Sequence, residues 1–186
     1  MVTHMKCTTR FLLVLAVVLL AACDRIPHTS GYIHSNDRYL EENVANWNSM
    51  ISTVNAWNDS PLAEEFHEAI ADGDDLSKFR FRLQAAHTDA VKQRTSAEQL
   101  THRPEAADLH QHLLASLQSV EDMFAILVTL AELPAGYTAE QSASILARLE
   151  PAIERMDTDL QKLSDAQDTF ARSEKIQLTT SDPSRR

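Results

Sequence analysis

Cysteine and glycine are both rare in this chain. Among 186 residues there are two cysteines, Cys7 and Cys23, and three glycines. Because no cysteine follows position 23, the rest of the chain can form no disulfide or thiolate metal site and has no cysteine nucleophile. The few glycines leave no glycine-rich loop of the kind that cradles phosphates. The fold after residue 23 must therefore depend on its hydrophobic core.

Motifs of common enzyme active sites are also missing. The sequence has no serine nucleophile elbow, no zinc-protease helix motif and no Cys-x-x-Cys-His haem attachment sequence. Glu64-x-x-His67 has the spacing of di-iron helical bundles, but such a site needs a second copy and two further inward-facing glutamates. His110 and His112 lie about 200° apart around a helix, so they cannot share a ligand. We therefore predict no enzyme activity, no metal site and no cofactor.

Basic residues are outnumbered by acidic ones. The chain has 27 Asp and Glu against 17 Lys and Arg, which gives a formal charge of −10 at pH 7. Loss of Lys6 and Arg10 with the N-terminal segment would change this charge to −12. Such an acidic product is a poor nucleic-acid binder, and anionic lipid headgroups should repel it.

The first 22 residues have the parts of a secretory signal peptide. Lys6 and Arg10 supply positive charge, and residues 11–22 are an apolar stretch of Phe, Leu, Val and Ala. This stretch of about a dozen residues is shorter than the roughly 20 that a membrane-spanning helix requires. We therefore predict a signal peptide at 1–22, with an uncleaved membrane anchor as the alternative.

The end of this segment, Leu20-Ala21-Ala22-Cys23, resembles the lipobox of bacterial lipoprotein precursors. The resemblance is confined to this region, and it implies that Cys23 becomes the first mature residue and carries acyl chains. Several acyl chains hold a protein stably on a membrane surface without spanning it. The resemblance therefore implies a lipid-anchored protein of the cell envelope that faces the periplasm. In enteric lipoproteins an Asp after the cysteine favours the inner membrane, and Asp24 stands there; the outer membrane is the alternative.

The remaining chain divides into a tether, a helical domain and a tail. Residues 23–35 contain Pro27 and Gly31 without periodicity, which predicts a lipidated cysteine followed by a flexible tether. Residues 36–178 are rich in helix-forming residues with apolar positions every three or four, which predicts an all-α domain. We expect an antiparallel up-and-down bundle of four long helices and one short helix, with a long C-terminal helix. Residues 179–186 are expected to be disordered.

The first helix, expected at about 37–58, has a wide apolar arc. Residues with 4-3-4-3 spacing form the expected buried seam: Leu40, Val44, Trp47, Ile51 and Val54. A second group lies beside that seam on a helical wheel: Tyr39, Met50 and Trp57. An arc of this width indicates contact with two neighbouring helices, and a partner-binding surface that includes Trp57 is the alternative.

A short second helix is expected between a Ser60 cap with Pro61 and an exit at Gly73. In the third helix, about 75–99, Phe81 falls nearly opposite the apolar seam, among Lys78, Ala85 and Lys92. Two explanations remain open for Phe81. Either the short helix folds back and covers it, or it is an exposed hot spot in a basic patch that contacts an acidic partner.

The last two helices are expected to begin at Pro104 and after a capping box of Thr138 and Gln141. Residues 123–128 of the fourth helix are apolar on all sides, which predicts central burial. The alternative is a groove for a partner helix or an acyl chain, with Ile126 as a contact. In the last helix Pro151 predicts a kink or a break.

These patterns favour a binding protein. Our leading hypothesis is a lipid-anchored helical domain that binds another envelope protein as an adaptor, assembly factor, pilot or inhibitor. Its expected contacts are Phe81, Lys78, Lys92, Trp57 and Ile126. The alternative is a helical domain that holds a lipid-like or other small apolar molecule beside the fourth helix.

Overall fold

Residues 35–176 are described by the computed structural model of the chain. They form five α-helices and no strand. The helices are α1 (Asn36–Asn58), α2 (Pro61–Asp72), α3 (Ser77–Glu98), α4 (Ala107–Ala131) and α5 (Ala139–Ser173), and a 3₁₀ turn at Pro104–Ala106 leads into α4. The prediction of an all-α domain is confirmed. The expected signal peptide, Cys23 with the tether up to residue 34, and the expected tail at 179–186 lie outside the described residues.

The ends of the helices follow from local capping chemistry. Gly73 ends α2 in the left-handed conformation, with φ of 76°, where a side chain would be strained. Thr138 and Gln141 form the expected capping box at the start of α5. Ser60 is the N-cap residue of α2, as expected, but its side chain makes no capping hydrogen bond to that helix. Its hydroxyl donates instead to the carbonyl of Trp57 at 2.6 Å, and so serves the exposed end of α1.

Helix α3 begins two residues later than expected, because Leu76 is its N-cap residue and Asp75 lies in the turn before it. The Asp75 carboxylate accepts from the amide of Ser77 at 2.9 Å and from the Ser77 hydroxyl at 2.9 Å. These bonds hold the pKa of the Asp75 carboxyl below its usual value. Leu76, between the two, is fully buried.

Helix α5 continues through Pro151 as one helix of 35 residues, so of the expected kink or break the break is wrong. Proline cannot donate to the carbonyl four residues earlier, which belongs to Ala147. Both Pro151 and Ala147 lie on the exposed side of α5. Water can therefore bond that carbonyl, and the helix tolerates the missing donor.

Helix α4 supplies the largest share of the core and contacts α1, α3 and α5. Its second half is buried as expected, with Met123, Phe124, Ile126, Leu127 and Leu130 all inside. A helix that is apolar on several sides needs neighbours on several sides. The contacts of α4 with α1, α3 and α5 meet this need.

Polar pairs between neighbouring helices define their relative directions. The pairs are Gln84–Glu132 and Arg94–Glu121 between α3 and α4, Ser119–Asp159 and Asp122–Arg155 between α4 and α5, and Asn36–Glu174 and Asn43–Gln167 between α1 and α5. For each two helices, the residue numbers of the paired side chains rise along one helix as they fall along the other. Each of these three neighbouring pairs therefore runs antiparallel.

The buried face of α1 is rotated from the expected seam. Trp47 and Ile51 are only partly buried, whereas the group expected beside the seam is inside: Tyr39, Met50 and Trp57. The cause is Asn43, which is fully buried because the side chain of Gln167 donates to its oxygen at 2.9 Å. An apolar pattern alone counts Asn43 as a surface residue, and so it places the seam too far around the helix.

Candidate partner-binding surface

Phe81 projects from α3 into solvent with 84 % of its surface exposed. Within residues 35–176, Phe81 is the one large apolar side chain that is exposed. The neighbours Phe79 and Leu83 both face the core and are fully buried. Residue 81 is two positions from each of them, about 200° around the helix, so it must point outward.

The short helix α2 folds back onto Phe79 and leaves Phe81 uncovered. Phe66 of α2 meets the Phe79 ring edge-to-face at 5.0 Å between centroids, and it meets Trp57 at 5.8 Å. Such edge-to-face pairs are favourable arrangements of aromatic rings. The explanation in which α2 covers Phe81 is therefore wrong.

Basic residues flank Phe81 along α3. Helix α3 carries five basic and two acidic residues in a chain of net charge −10, and residues 76–88 contain no acidic residue. Lys78 forms a salt bridge with Glu65 at 3.0 Å and lies over the Phe79 ring at 4.8 Å. Lys92 pairs with Asp89 at 3.5 Å. Both lysines are more than half exposed, so these pairs are weak and can exchange for a partner's charges.

The two other expected contacts lie inside the domain. Trp57 is 4 % exposed and Ile126 is 7 % exposed. Trp57 is packed by α2, and Ile126 belongs to the central helix α4. Neither side chain forms an exposed surface in this conformation, and the small part of Trp57 that is not buried lines a cleft. Of the five expected contacts, Phe81, Lys78 and Lys92 share one exposed face of α3.

A small open cleft lies beside that face, between α1 and α3. Its volume is about 160 Å³, and Trp57 and Ala86 are among its lining residues. Pockets for drug-sized ligands are typically about 300–1,000 Å³. No residue of α4 lines this cleft. It is therefore a different place from the groove considered for a lipid-like ligand.

A buried polar network connects α1, α4 and α5. The Tyr39 hydroxyl lies 3.0 Å from Nδ1 of His110 and accepts from Asn43 at 3.3 Å, and Asn43 in turn accepts from Gln167. Because Asn43 donates to the Tyr39 oxygen, the Tyr39 hydrogen is free to point at the imidazole nitrogen. Sequence patterns did not reveal this network, since its members come from three helices.

Burial shifts the titration of this network. It raises the pKa of Tyr39 to about 12, against the opposing effect of the Asn43 hydrogen bond. Burial lowers the pKa of His110, and electrostatic interaction with His102 lowers it further. The ring of His102 lies 4.4 Å from that of His110. Burial thus favours the neutral forms of both Tyr39 and His110, in which their side chains can share a hydrogen bond.

A second buried polar contact joins α4 to α5. The hydroxyl of Ser116 donates to the carbonyl of Asp159 at 2.8 Å, and that of Ser119 donates to its carboxylate. The Asp159 carboxylate also pairs with Lys162 at 3.5 Å. The one sequence signal for this contact is the presence of two serines on the apolar side of α4.

Histidine and carboxylate groups do not assemble into a ligand set within residues 35–176, where no cluster of three or more suits a metal ion. Glu64 and His67 lie on the exposed side of the short helix α2. His110 is buried, while His112 faces the rim beside Asp108 at 3.7 Å. The two histidines therefore point to different environments, as their spacing predicts.

Helix α4 with its leading turn, Pro104–Ala131, is long and apolar enough to cross a membrane by length and composition. Its most apolar window has a mean hydropathy of 1.5, and 56 % of that window is buried by the rest of the domain. A core helix of a folded domain has the same properties. Its contacts on several sides are those of a core helix.

No protein-family model, curated protein sequence or solved structure matches this chain. Its functional interpretation therefore depends on its own residues.

Proposed function

We propose that this chain is a lipid-anchored protein of the cell envelope whose helical domain faces the periplasm and binds another envelope protein through α3. The binding surface centres on Phe81 and includes Lys78 and Lys92. The exposure of Phe81 is the observation that carries this proposal. In this role the protein would act as an adaptor, assembly factor, pilot or inhibitor, and not as an enzyme.

Support for the anchor comes from the N-terminal sequence. The lipobox-like Leu20-Ala21-Ala22-Cys23 follows a charged and then apolar segment. Acyl chains on Cys23 would keep the domain at a membrane surface, and Asp24 favours the inner membrane of enteric-type envelopes. A partner bound by α3 would then be concentrated at that surface.

Support for the partner comes from the cost of leaving Phe81 in water. Covering a phenylalanine side chain contributes about 1.5–3 kcal/mol. Aromatic residues that a partner covers are frequent hot spots, and surrounding charges select the partner and speed its arrival. The basic side chains around Phe81 in an acidic chain favour a partner with an acidic surface.

We further propose that the four long helices form an antiparallel up-and-down bundle, with α2 folded back onto α1 and α3. The opposite directions within the pairs α3–α4, α4–α5 and α1–α5 support this arrangement. So does the aromatic contact of Phe66 with Phe79 and Trp57. A bundle of this kind would hold α3 as a rigid outer helix, which suits a preformed binding surface.

Binding of a lipid-like molecule has less support. The apolar end of α4 packs against its neighbours, with Phe124 and Leu130 fully buried. The cleft between α1 and α3 is smaller than typical ligand pockets.

Cysteine labelling in cells tests the proposal. Thr88 is exposed on α3, two turns beyond Phe81 on the same face, and the chain has no native cysteine after Cys23. We expect a membrane-impermeant maleimide to label Thr88→Cys more slowly in outer-membrane-permeabilised cells than in the purified full chain, because a partner covers this face. Adding Phe81→Ala should restore the faster rate.

Ser164→Cys on the exposed side of α5 is the matched control, and its rate should be the same in cells and in purified protein. The unaltered chain gives the background from Cys7 and Cys23. Equal rates at Thr88→Cys in the two settings would contradict a partner on α3.

A further inference from the structure

We propose that the cleft between α1 and α3 is a specificity pocket that takes one aliphatic side chain of an acidic partner segment, with Arg82 binding a carboxylate beside it. This inference rests on the proposed function, because it assigns the chemistry of the partner that α3 binds.

The cleft is lined mainly by small side chains, with one aromatic residue and two charged ones. Its lining residues are Ser52, Thr53, Ala56 and Trp57 of α1, and Arg82, Ala85, Ala86 and Asp89 of α3. The three alanines leave space where larger residues would fill the contact between the helices. One turn further along α3, Gln93 donates to the Thr53 hydroxyl at 3.1 Å and ties the helices together at that end.

The cleft and Phe81 belong to one surface. Phe81 and Ala85 are four residues apart on α3, so they are neighbours on the same face of the helix. A segment that packs on Phe81 can therefore place its next apolar side chain in the cleft. The exposed ring would supply contact area, and the cleft would select the side chain.

The size of the cleft suits a single side chain. Its volume is about 160 Å³ and it is open to solvent. An apolar cavity of about 150 Å³ holds a benzene molecule. A Leu, Ile or Val side chain fits this space, whereas a free lipid or a cofactor does not.

Charge sets the orientation of the bound segment. Arg82 lies at one end of the cleft and forms no salt bridge with any residue of 35–176. Asp89 lies at the other end, about 10 Å further along α3 at 1.5 Å per residue, where it pairs with Lys92. A partner carboxylate is attracted to the Arg82 end and repelled from the Asp89 end.

An acidic protein segment fits this surface better than a membrane or a second copy does. An anionic bilayer would repel a chain of net charge −10, and Phe81 alone supplies little apolar area for insertion. Two copies that met through this surface would bring two basic α3 helices together.

Selection of peptides tests the proposal. Random 12-residue peptides displayed on phage would be selected on the full chain held in nanodiscs of zwitterionic lipid, after removal of binders to empty nanodiscs. We expect the enriched peptides to combine Asp or Glu with Leu, Ile or Val at a fixed spacing. Their affinity should fall at least about tenfold on Ala85→Trp or Ala56→Leu, which fill the cleft from either wall, and on Arg82→Glu.

Two matched variants on the exposed side of α5, Ala143→Trp and Arg148→Glu, should leave peptide affinity unchanged. Circular dichroism would establish which variants are folded, and either cleft-filling change is sufficient for the test. The inference is overturned if no peptide is enriched, if the enriched peptides are not acidic, or if the cleft-filling variants bind as well as the parent.

Two other results would also overturn it: Arg82-dependent binding to anionic vesicles, or a dimer in sedimentation that Ala85→Trp dissociates. If Thr88→Cys is labelled more slowly in cells but the cleft-filling variants bind the peptides as well as the parent, the proposed function stands and this inference fails.

Discussion

The buried pair Asn43 and Gln167 provides a quantitative test of how α1 is held against α5. Gln167 donates to the Asn43 oxygen at 2.9 Å, and both side chains are less than 10 % exposed. Replacing one partner by leucine leaves the other buried without its hydrogen bond, which costs about 1–3 kcal/mol. We therefore expect Asn43→Leu and Gln167→Leu each to lower the free energy of unfolding by that amount.

The double variant, Asn43→Leu with Gln167→Leu, gives a more specific prediction than either single variant. When both partners become apolar, no polar atom of the pair stays unsatisfied, and such a change can be nearly neutral. Asn43→Leu also removes the donor to Tyr39 at 3.3 Å, so some cost remains. We expect the double variant to be more stable than the sum of the single changes predicts, by at least about 1 kcal/mol.

Urea unfolding followed by circular dichroism measures these values on the chain from Asp24 onward, without acyl chains. The slope of the free energy of unfolding against urea concentration should be the same in the parent, the two single variants and the double variant. The unfolding midpoints then report stability directly. Additive effects, within about 0.5 kcal/mol, would show that Asn43 and Gln167 do not act as a pair and would refute the reasoning.

Three further predictions concern pH, packing and anchoring. The pKa of His110 is lowered by burial in the folded chain, so the unfolded chain binds more protons at mildly acidic pH. The free energy of unfolding should therefore decline as the pH falls below about 6.5. In urea melts at pH 7.5 and 5, His110→Gln should reduce that decline. Trp57→Ala should lower the free energy of unfolding by about 3–5 kcal/mol, and Trp47→Ala by less because Trp47 is partly exposed, so equal losses would contradict the rotated face of α1. Cys23→Ser should release the protein from the membrane fraction and abolish acyl labelling, and a variant that stays with the membrane would refute lipid anchoring.

Local signals predicted most of the helix boundaries. Gly73 and the pair Thr138 and Gln141 act through their nearest neighbours, so their effect can be recognised without the rest of the fold. Pro151 was harder to interpret. Whether a proline breaks a helix depends on the surroundings of the carbonyl four residues earlier, and those surroundings are set by tertiary structure.

Polar residues in the core account for what the patterns missed. Asn43 is polar yet fully buried, because a partner 124 residues away satisfies it. His102 and His110 come together through the turn before α4, and nothing in their spacing indicates that their rings meet. The spacing of apolar residues predicts which apolar side chains are buried. It does not predict which polar side chains are buried with hydrogen-bond partners in the core.

The candidate surface was predictable only in part. The positions of Phe79 and Leu83 required Phe81 to lie opposite the core, but the sequence could not tell whether α2 would cover it. The structure places Phe66 of α2 on Phe79, and so resolves that question. Trp57, which has the same apolar character, is covered by the same helix.

Photo-crosslinking in intact cells tests the central claim most directly. A photoreactive phenylalanine analogue would replace Phe81 or, as an exposed control on α5, Asp157. Illumination should give a discrete protein adduct from position 81 and none from position 157. No adduct at position 81, or the same adducts from both positions, would contradict a partner-binding surface centred on Phe81.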